Sequence, residues 1–154
     1  MRLTTFSDYT LRVLMYLALD TDRLATIAEI AEAYHISGNH LMKVVHQLSR
    51  NGVIESTRGK GGGIRLARPA EDIRLGDIIR ASEGNGPIVE CMSVSESNCC
   101  IAPACQLNSI LERAFEALYA TLDEYTLADL MNKQGTKSKL LKRPPSCTSL
   151  NQPN

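Results

Sequence analysis

The strongest local constraint on this chain lies between Thr26 and Gly52, where two short helices must form around a tight turn. Thr26-Ile27-Ala28-Glu29 has the pattern of a capping box, in which a threonine hydroxyl and a glutamate three residues on satisfy each other's free backbone N–H groups. Ile27, Ile30 and Ala31 then give one apolar face to a helix ending near Tyr34. His35-Ile36-Ser37 makes the turn, with Ser37 placed as the next N-cap. A second helix runs from about Gly38 to Arg50 with Leu41, Val44, Val45 and Leu48 facing inward, and Asn51-Gly52 supplies a left-handed stop. Helix, tight turn and helix with a polar outer face together predict a helix-turn-helix.

The residues that follow extend the motif. Val53–Thr57 reads as a strand, Arg58–Gly63 as a glycine-rich turn and Ile64–Ala67 as a returning strand, so a hairpin wing tipped by Arg58 and Lys60 is expected. The run Arg58-Gly59-Lys60-Gly61-Gly62-Gly63 is not a nucleotide loop, because it lacks GxxxxGK[ST] and no helix opens after it. From His35 to Arg68 six basic residues (Lys43, Arg50, Arg58, Lys60, Arg65 and Arg68) oppose Glu55 alone, a net +5 inside a chain of net charge zero. That segregation is the footprint of a phosphate-binding face. On it, Ser37, Asn39, His40 and Lys43 of the second helix, with Arg58, Lys60 and Arg65 of the wing, are the candidate DNA contacts. Residues 1–83 are read as this winged-helix domain, opening with a helix over Thr5–Leu19 capped by Thr5 and Asp8, and closing with a short helix over Leu75–Ser82.

From Glu83 to Ala104 no period survives, and this stretch holds four of the five cysteines in whole or at its border. Residues 84–105 are read as a functional loop. Seven residues separate Cys91 from Cys99 and five separate Cys99 from Cys105, with Cys100 beside Cys99. No CxxC pair occurs, so a zinc ribbon is not indicated. A metal or iron–sulfur centre, a redox disulfide and unrelated buried thiols all remain open on spacing alone. Beyond it, Leu107, Ile110, Leu111, Ala114, Phe115, Leu118, Leu122 and Tyr125 recur at helical steps, so residues 106–131 are read as a long dimerisation helix. Residues 132–154, basic and proline-bearing, read as a disordered tail, with Cys147 a bystander. The expected fold is thus mainly α: a winged helix-turn-helix with a β-hairpin wing and a long C-terminal helix. No secretory or membrane-spanning pattern is seen, which places the protein in the cytoplasm.

Several of these segments together resemble the iron–sulfur winged-helix repressors, and most closely their nitric-oxide-sensing members. The resemblance covers about residues 1–130. It rests on the opening Met1-Arg2-Leu3-Thr4-Thr5-Phe6-Ser7-Asp8-Tyr9, on Ser37-Gly38-Asn39-His40-Leu41, and on Arg58 through Leu66. Cys99-Cys100-Ile101-Ala102-Pro103-Ala104-Cys105 and Tyr125-Thr126-Leu127-Ala128-Asp129-Leu130 complete it. The resemblance implies a homodimer that represses transcription from a double-stranded DNA operator and releases it when nitric oxide attacks a [4Fe–4S] cluster. Cys91, Cys99 and Cys105 fall on the ligand cysteines, and Asp8 of the partner subunit would give the fourth ligand. Cluster-assembly regulators of the same family use a histidine three residues after the last cysteine. Here that residue is Asn108, which disfavours their [2Fe–2S] alternative. A relative sensing iron–sulfur status, redox state or cysteine metabolism is the nearest rival. A cluster-bearing redox enzyme is disfavoured because no substrate or acid–base constellation appears, and a protein-binding module because of the basic stretch.

Overall fold

The computed structural model describes residues 2–84, 89 and 105–131. Helix α1 spans Thr5–Leu19, α2 Ile27–Tyr34 and α3 Gly38–Arg50. Strands β1 (Ile54–Thr57) and β2 (Gly63–Leu66) form an antiparallel hairpin with Ile54 opposite Leu66 and Glu55 opposite Arg65. A 3-10 turn over Ala70–Asp72 leads to α4, Leu75–Glu83. Helix α5 runs over Gln106–Asp123 and a short α6 over Leu127–Met131. The mainly α fold with a hairpin wing and a long C-terminal helix is the one the sequence predicts.

Local chemistry sets most of these boundaries. In α2 both halves of the capping box form, Thr26 Oγ1 accepting from the Glu29 N–H and Glu29 accepting from the Thr26 N–H at 2.6 Å. Helix α2 stops because His35 turns left-handed at φ 54° and ψ 42°, while the Ile36 N–H reaches back to the Ala31 carbonyl at 3.0 Å. A side chain with a Cβ there costs about 1–2 kcal/mol, which the packing of α2 on α3 must exceed. Ser37 occupies the N-cap position of α3, but its side chain makes no cap bond. Helix α1 spans the expected residues, but Thr4, not Thr5, is its cap, accepting from the Ser7 N–H at 3.2 Å. Each strand likewise starts or ends one residue off, since the pairing runs from Thr57–Gly63 to Ile54–Leu66.

One apolar cluster joins the elements. Val13, Leu14 and Leu17 of α1 meet Ile30 of α2, the inward row Leu41, Val44, Val45 and Leu48 of α3, and Ile54 and Ile64 of the wing. Strand β2 also pairs with Ala25 through two backbone bonds of 2.8 and 2.9 Å, which seats the wing against the α1–α2 connection. The tip of the wing must be glycine-rich for a steric reason: a Cβ on Gly62 would lie 2.3 Å from the Thr57 carbonyl oxygen.

The 106–131 stretch is two helices rather than the one expected. Thr126, just before α6, donates from its N–H and its hydroxyl to Asp129 at 2.7 and 2.8 Å, the carboxylate half of a capping box. Leu127, Ala128 and Met131 are buried, and Leu127 belongs to the main core. Helix α5, by contrast, has no buried residue, and Leu107 and Ile110 are 58% and 56% exposed. Among the described residues no helix is long and apolar enough to cross a membrane.

Candidate functional site

Helix α3 divides cleanly. Its inner row is buried, while Asn39, His40, Met42, Lys43, His46 and Arg50 stand exposed on the other side. A shallow groove runs along this outer face, lined by Asn39, Lys43, His46 and Arg50 and closed by Phe6 of α1 and Arg80 of α4. His40 is partly fixed by the Tyr9 ring, whose centroid lies 6.1 Å away at a tilt of 38°. The other polar side chains of the face are free to meet a ligand. Gln47 is the exception, donating from Nε2 to the Ala81 carbonyl at 2.6 Å and so holding α3 to α4.

On the wing, Arg58 and Lys60 are exposed at the turn. Arg65 differs, because its guanidinium pairs across the strands with Glu55. Half-exposed ion pairs of this kind contribute little stability, but they offset the charge that Arg65 would offer to a phosphate.

The cysteine face is described only at its edge. Cys105 is a free, half-buried thiol immediately before α5, at a helix start where negative charge is favoured. One turn later Asn108 Oδ1 is a buried acceptor with no partner among the described residues. Asp8 sits in the first turn of α1, 48% exposed, and accepts from Arg12 Nε at 2.9 Å. Cys91, Cys99, Cys100 and Cys147 lie outside the described residues. Among the described residues, no three His, Cys, Asp or Glu side chains come together as a metal site. Of the donors that can be placed, the free Cys105 thiol at a helix start is of the kind an iron–sulfur group takes, and Asp8 offers a carboxylate held by Arg12.

Sequence reasoning did not single out Glu83, expected only as the start of a loop. It is the last residue of α4, and its carboxylate accepts from the Thr4 N–H at 2.8 Å, the Thr4 hydroxyl at 3.1 Å and the buried Ser7 hydroxyl. Partial burial pushes the Glu83 carboxyl up, but the bonds from Ser7 and Thr4 outweigh it and hold the group below its ordinary 4.5. A carboxyl depressed on folding contributes stability above its unfolded value and loses it as pH falls through the folded one. Glu83→Gln is therefore expected to be less stable than the parent in urea at pH 7, with the gap narrowing below about pH 4.5. An equal gap at both pH values would show that the charge is not what holds α4 to α1.

A capped helix pair bent at a left-handed residue and followed by a glycine-turned hairpin is the architecture of winged-helix transcription regulators. The chain belongs to the Rrf2 family, described as iron-dependent transcriptional regulators, whose family model matches residues 3–133. It is 46% identical over 143 residues to the HTH-type transcriptional regulator NsrR of Bacillus subtilis, covering 92% of this chain and 98% of that protein. Among solved structures it resembles oxidised CymR of Staphylococcus aureus (TM-score 0.67, 33% identity, covering 86% of this chain and 97% of that one). It also resembles IscR of T. potens (TM-score 0.67, 27% identity, covering 85% and 86%). The protein is a winged-helix DNA-binding repressor of the Rrf2 type and not an enzyme.

Proposed function

We propose that this repressor works as a homodimer whose DNA grip is governed by an iron–sulfur cluster that responds to nitric oxide. The observation that carries the dimer is α5: an 18-residue helix that buries no residue in the single chain while exposing Leu107 and Ile110. A second copy of the same helix covers that stripe most simply, since self-complementary pairing is the commonest way to close an oligomer. The exposed row Asn39, His40 and Lys43, with Ser37 at its head, enters the major groove, and Arg58 and Lys60 take phosphates beside it. Arg65 contributes less while Glu55 holds it.

Cys91, Cys99 and Cys105 hold the cluster, with Asp8 of the partner subunit as the fourth ligand. Four-iron nuclearity is favoured because Asn108 stands where a two-iron relative carries histidine. When bound, such a cluster offers an iron open to a small diatomic ligand. The chain's own part is mechanical. Asp8 is held by Arg12 within its own helix, so reaching the partner's cluster exchanges that ion pair for a bond across the dimer, and losing the bond returns α1 to its own chain. Paired half-sites are read only at matched spacing, so the shift weakens operator binding. The similarity to NsrR supports nitric oxide as the signal; the similarity to CymR, a global cysteine regulator in B. subtilis, favours a thiol-linked signal as the second reading.

The test is to purify the protein without oxygen and record its spectrum, iron and sulfide before and after stoichiometric nitric oxide. About four irons per chain, with bleaching and loss of operator binding on nitric oxide, are the expected results. Asp8→Ala should keep the fold and lose much of the cluster or of the response. A colourless protein that still binds DNA would remove the sensor and leave the repressor.

A further inference from the structure

Among the described residues, the bonds that join helix α5 to the DNA-binding part lie at its C-terminal end. The backbone of Tyr125–Leu127 runs beside that of Ile73–Leu75, with the Leu75 N–H on the Tyr125 carbonyl at 3.0 Å and the Leu127 N–H on the Ile73 carbonyl at 2.8 Å. This short ladder fixes where α5 ends, but by itself it leaves the angle of α5 free to pivot. The angle is set further along α4. The Arg80 guanidinium forks onto both carboxylate oxygens of Asp123, with Nη1 to Oδ1 at 2.8 Å, and lies 4.6 Å from the Tyr119 ring centroid one turn back on α5. Arg74 Nη1 donates to the Asp123 carbonyl, satisfying a free carbonyl at the end of α5. The approach is possible only because position 76 has no side chain, since a Cβ there would lie 1.9 Å from Asp123 Oδ1. The residue after Arg80 is Ala81, whose carbonyl takes the Gln47 bond from α3. A continuous set of contacts therefore runs from the DNA-facing helix through α4 to α5.

We propose that the Arg80–Asp123 clamp, admitted by Gly76, sets the angle between α5 and the winged-helix domain and thereby the half-site spacing that the dimer selects. The inference rests on the reading of α5 as the dimer helix. The lever is long: from Asp123 to Leu107 is about 24 Å at 1.5 Å per residue. A change of about 10° at the clamp moves the Leu107 end by about 4 Å, more than the roughly 3.4 Å rise of one base pair. The clamp thus acts on specificity by positioning α5, with the Arg80 guanidinium engaged by Asp123 and Tyr119.

The experiment uses the full chain, purified without oxygen and allowed to select from a pool of random-sequence duplexes. Arg80→Lys keeps the charge but loses the fork, and Gly76→Ala keeps both charges while pushing the Asp123 carboxylate away. Neither alters net charge, so non-specific DNA binding is held constant. Wild type is expected to recover paired half-sites at one dominant spacing. Both variants are expected to recover the same half-site sequence with the spacing shifted or spread by about one base pair or more. Melting curves and sedimentation establish that each variant is folded and dimeric. Folded, dimeric variants that keep the single wild-type spacing would overturn the clamp. A wild type that is monomeric, or that recovers unpaired half-sites, would overturn the dimer reading beneath it.

Discussion

Arg58→Ala combined with Lys60→Ala is expected to weaken operator binding in a salt-dependent way. Each phosphate neutralised by a protein cation contributes about 0.9 to the slope of log affinity against log salt. Losing two such contacts lowers the slope by about 1.8, so the defect is about twelvefold larger at 50 mM salt than at 200 mM. Fold stability should hardly change, because both side chains are exposed on the turn and neither is seen in an ion pair. Arg65→Ala provides the internal comparison. Its guanidinium is held by Glu55, so it should lower the slope by clearly less than either tip residue. A double variant with an unchanged slope would show that the wing does not meet the DNA backbone, whatever the total loss of affinity.

Cys105→Ser should leave a protein that melts like the cluster-free parent and carries almost no iron, against about four atoms per chain in the parent. The fold is indifferent because Cys105 makes no cap bond for α5 and belongs to no part of the apolar core. The chemistry is not, because a hydroxyl is a poor ligand for iron beside sulfide. Cys147→Ser and Cys100→Ser are the controls and should keep their iron. Full iron in Cys105→Ser would remove this residue from the ligand set and place the cluster, if there is one, on the other thiols.

The helix-turn-helix was legible because everything that defines it is contiguous. Thr26 and Glu29 sit three residues apart, the α3 core row repeats within 13 residues, and each signal depends on its immediate neighbours. The cap of α1 was harder to place than its extent, since Thr4 and Thr5 both offer a hydroxyl and only Thr4 finds Ser7. The break between α5 and α6 did have a sequence signal. Thr126 and Asp129 repeat the capping pattern of Thr26 and Glu29, but the apolar period running across them hid it. Arg80, Asp123 and Gly76 carried no signal at all. Their pairing joins residues 43 apart, and only packing α5 on α4 reveals it. Glu83 is similar, meeting Thr4 and Ser7 from the far end of the domain.

The ladder between Ile73–Leu75 and Tyr125–Leu127 has a topological consequence. The chain returns to the DNA-reading unit at α6 beside the start of α4, so the two ends of the intervening chain are stitched together there. Lengthening such an intervening chain is thermodynamically mild, at about 0.6 kcal/mol for each doubling of a flexible loop. Inserted segments of different length and chemistry can therefore be exchanged there while the reader of the operator stays as it is, one scaffold serving many signals.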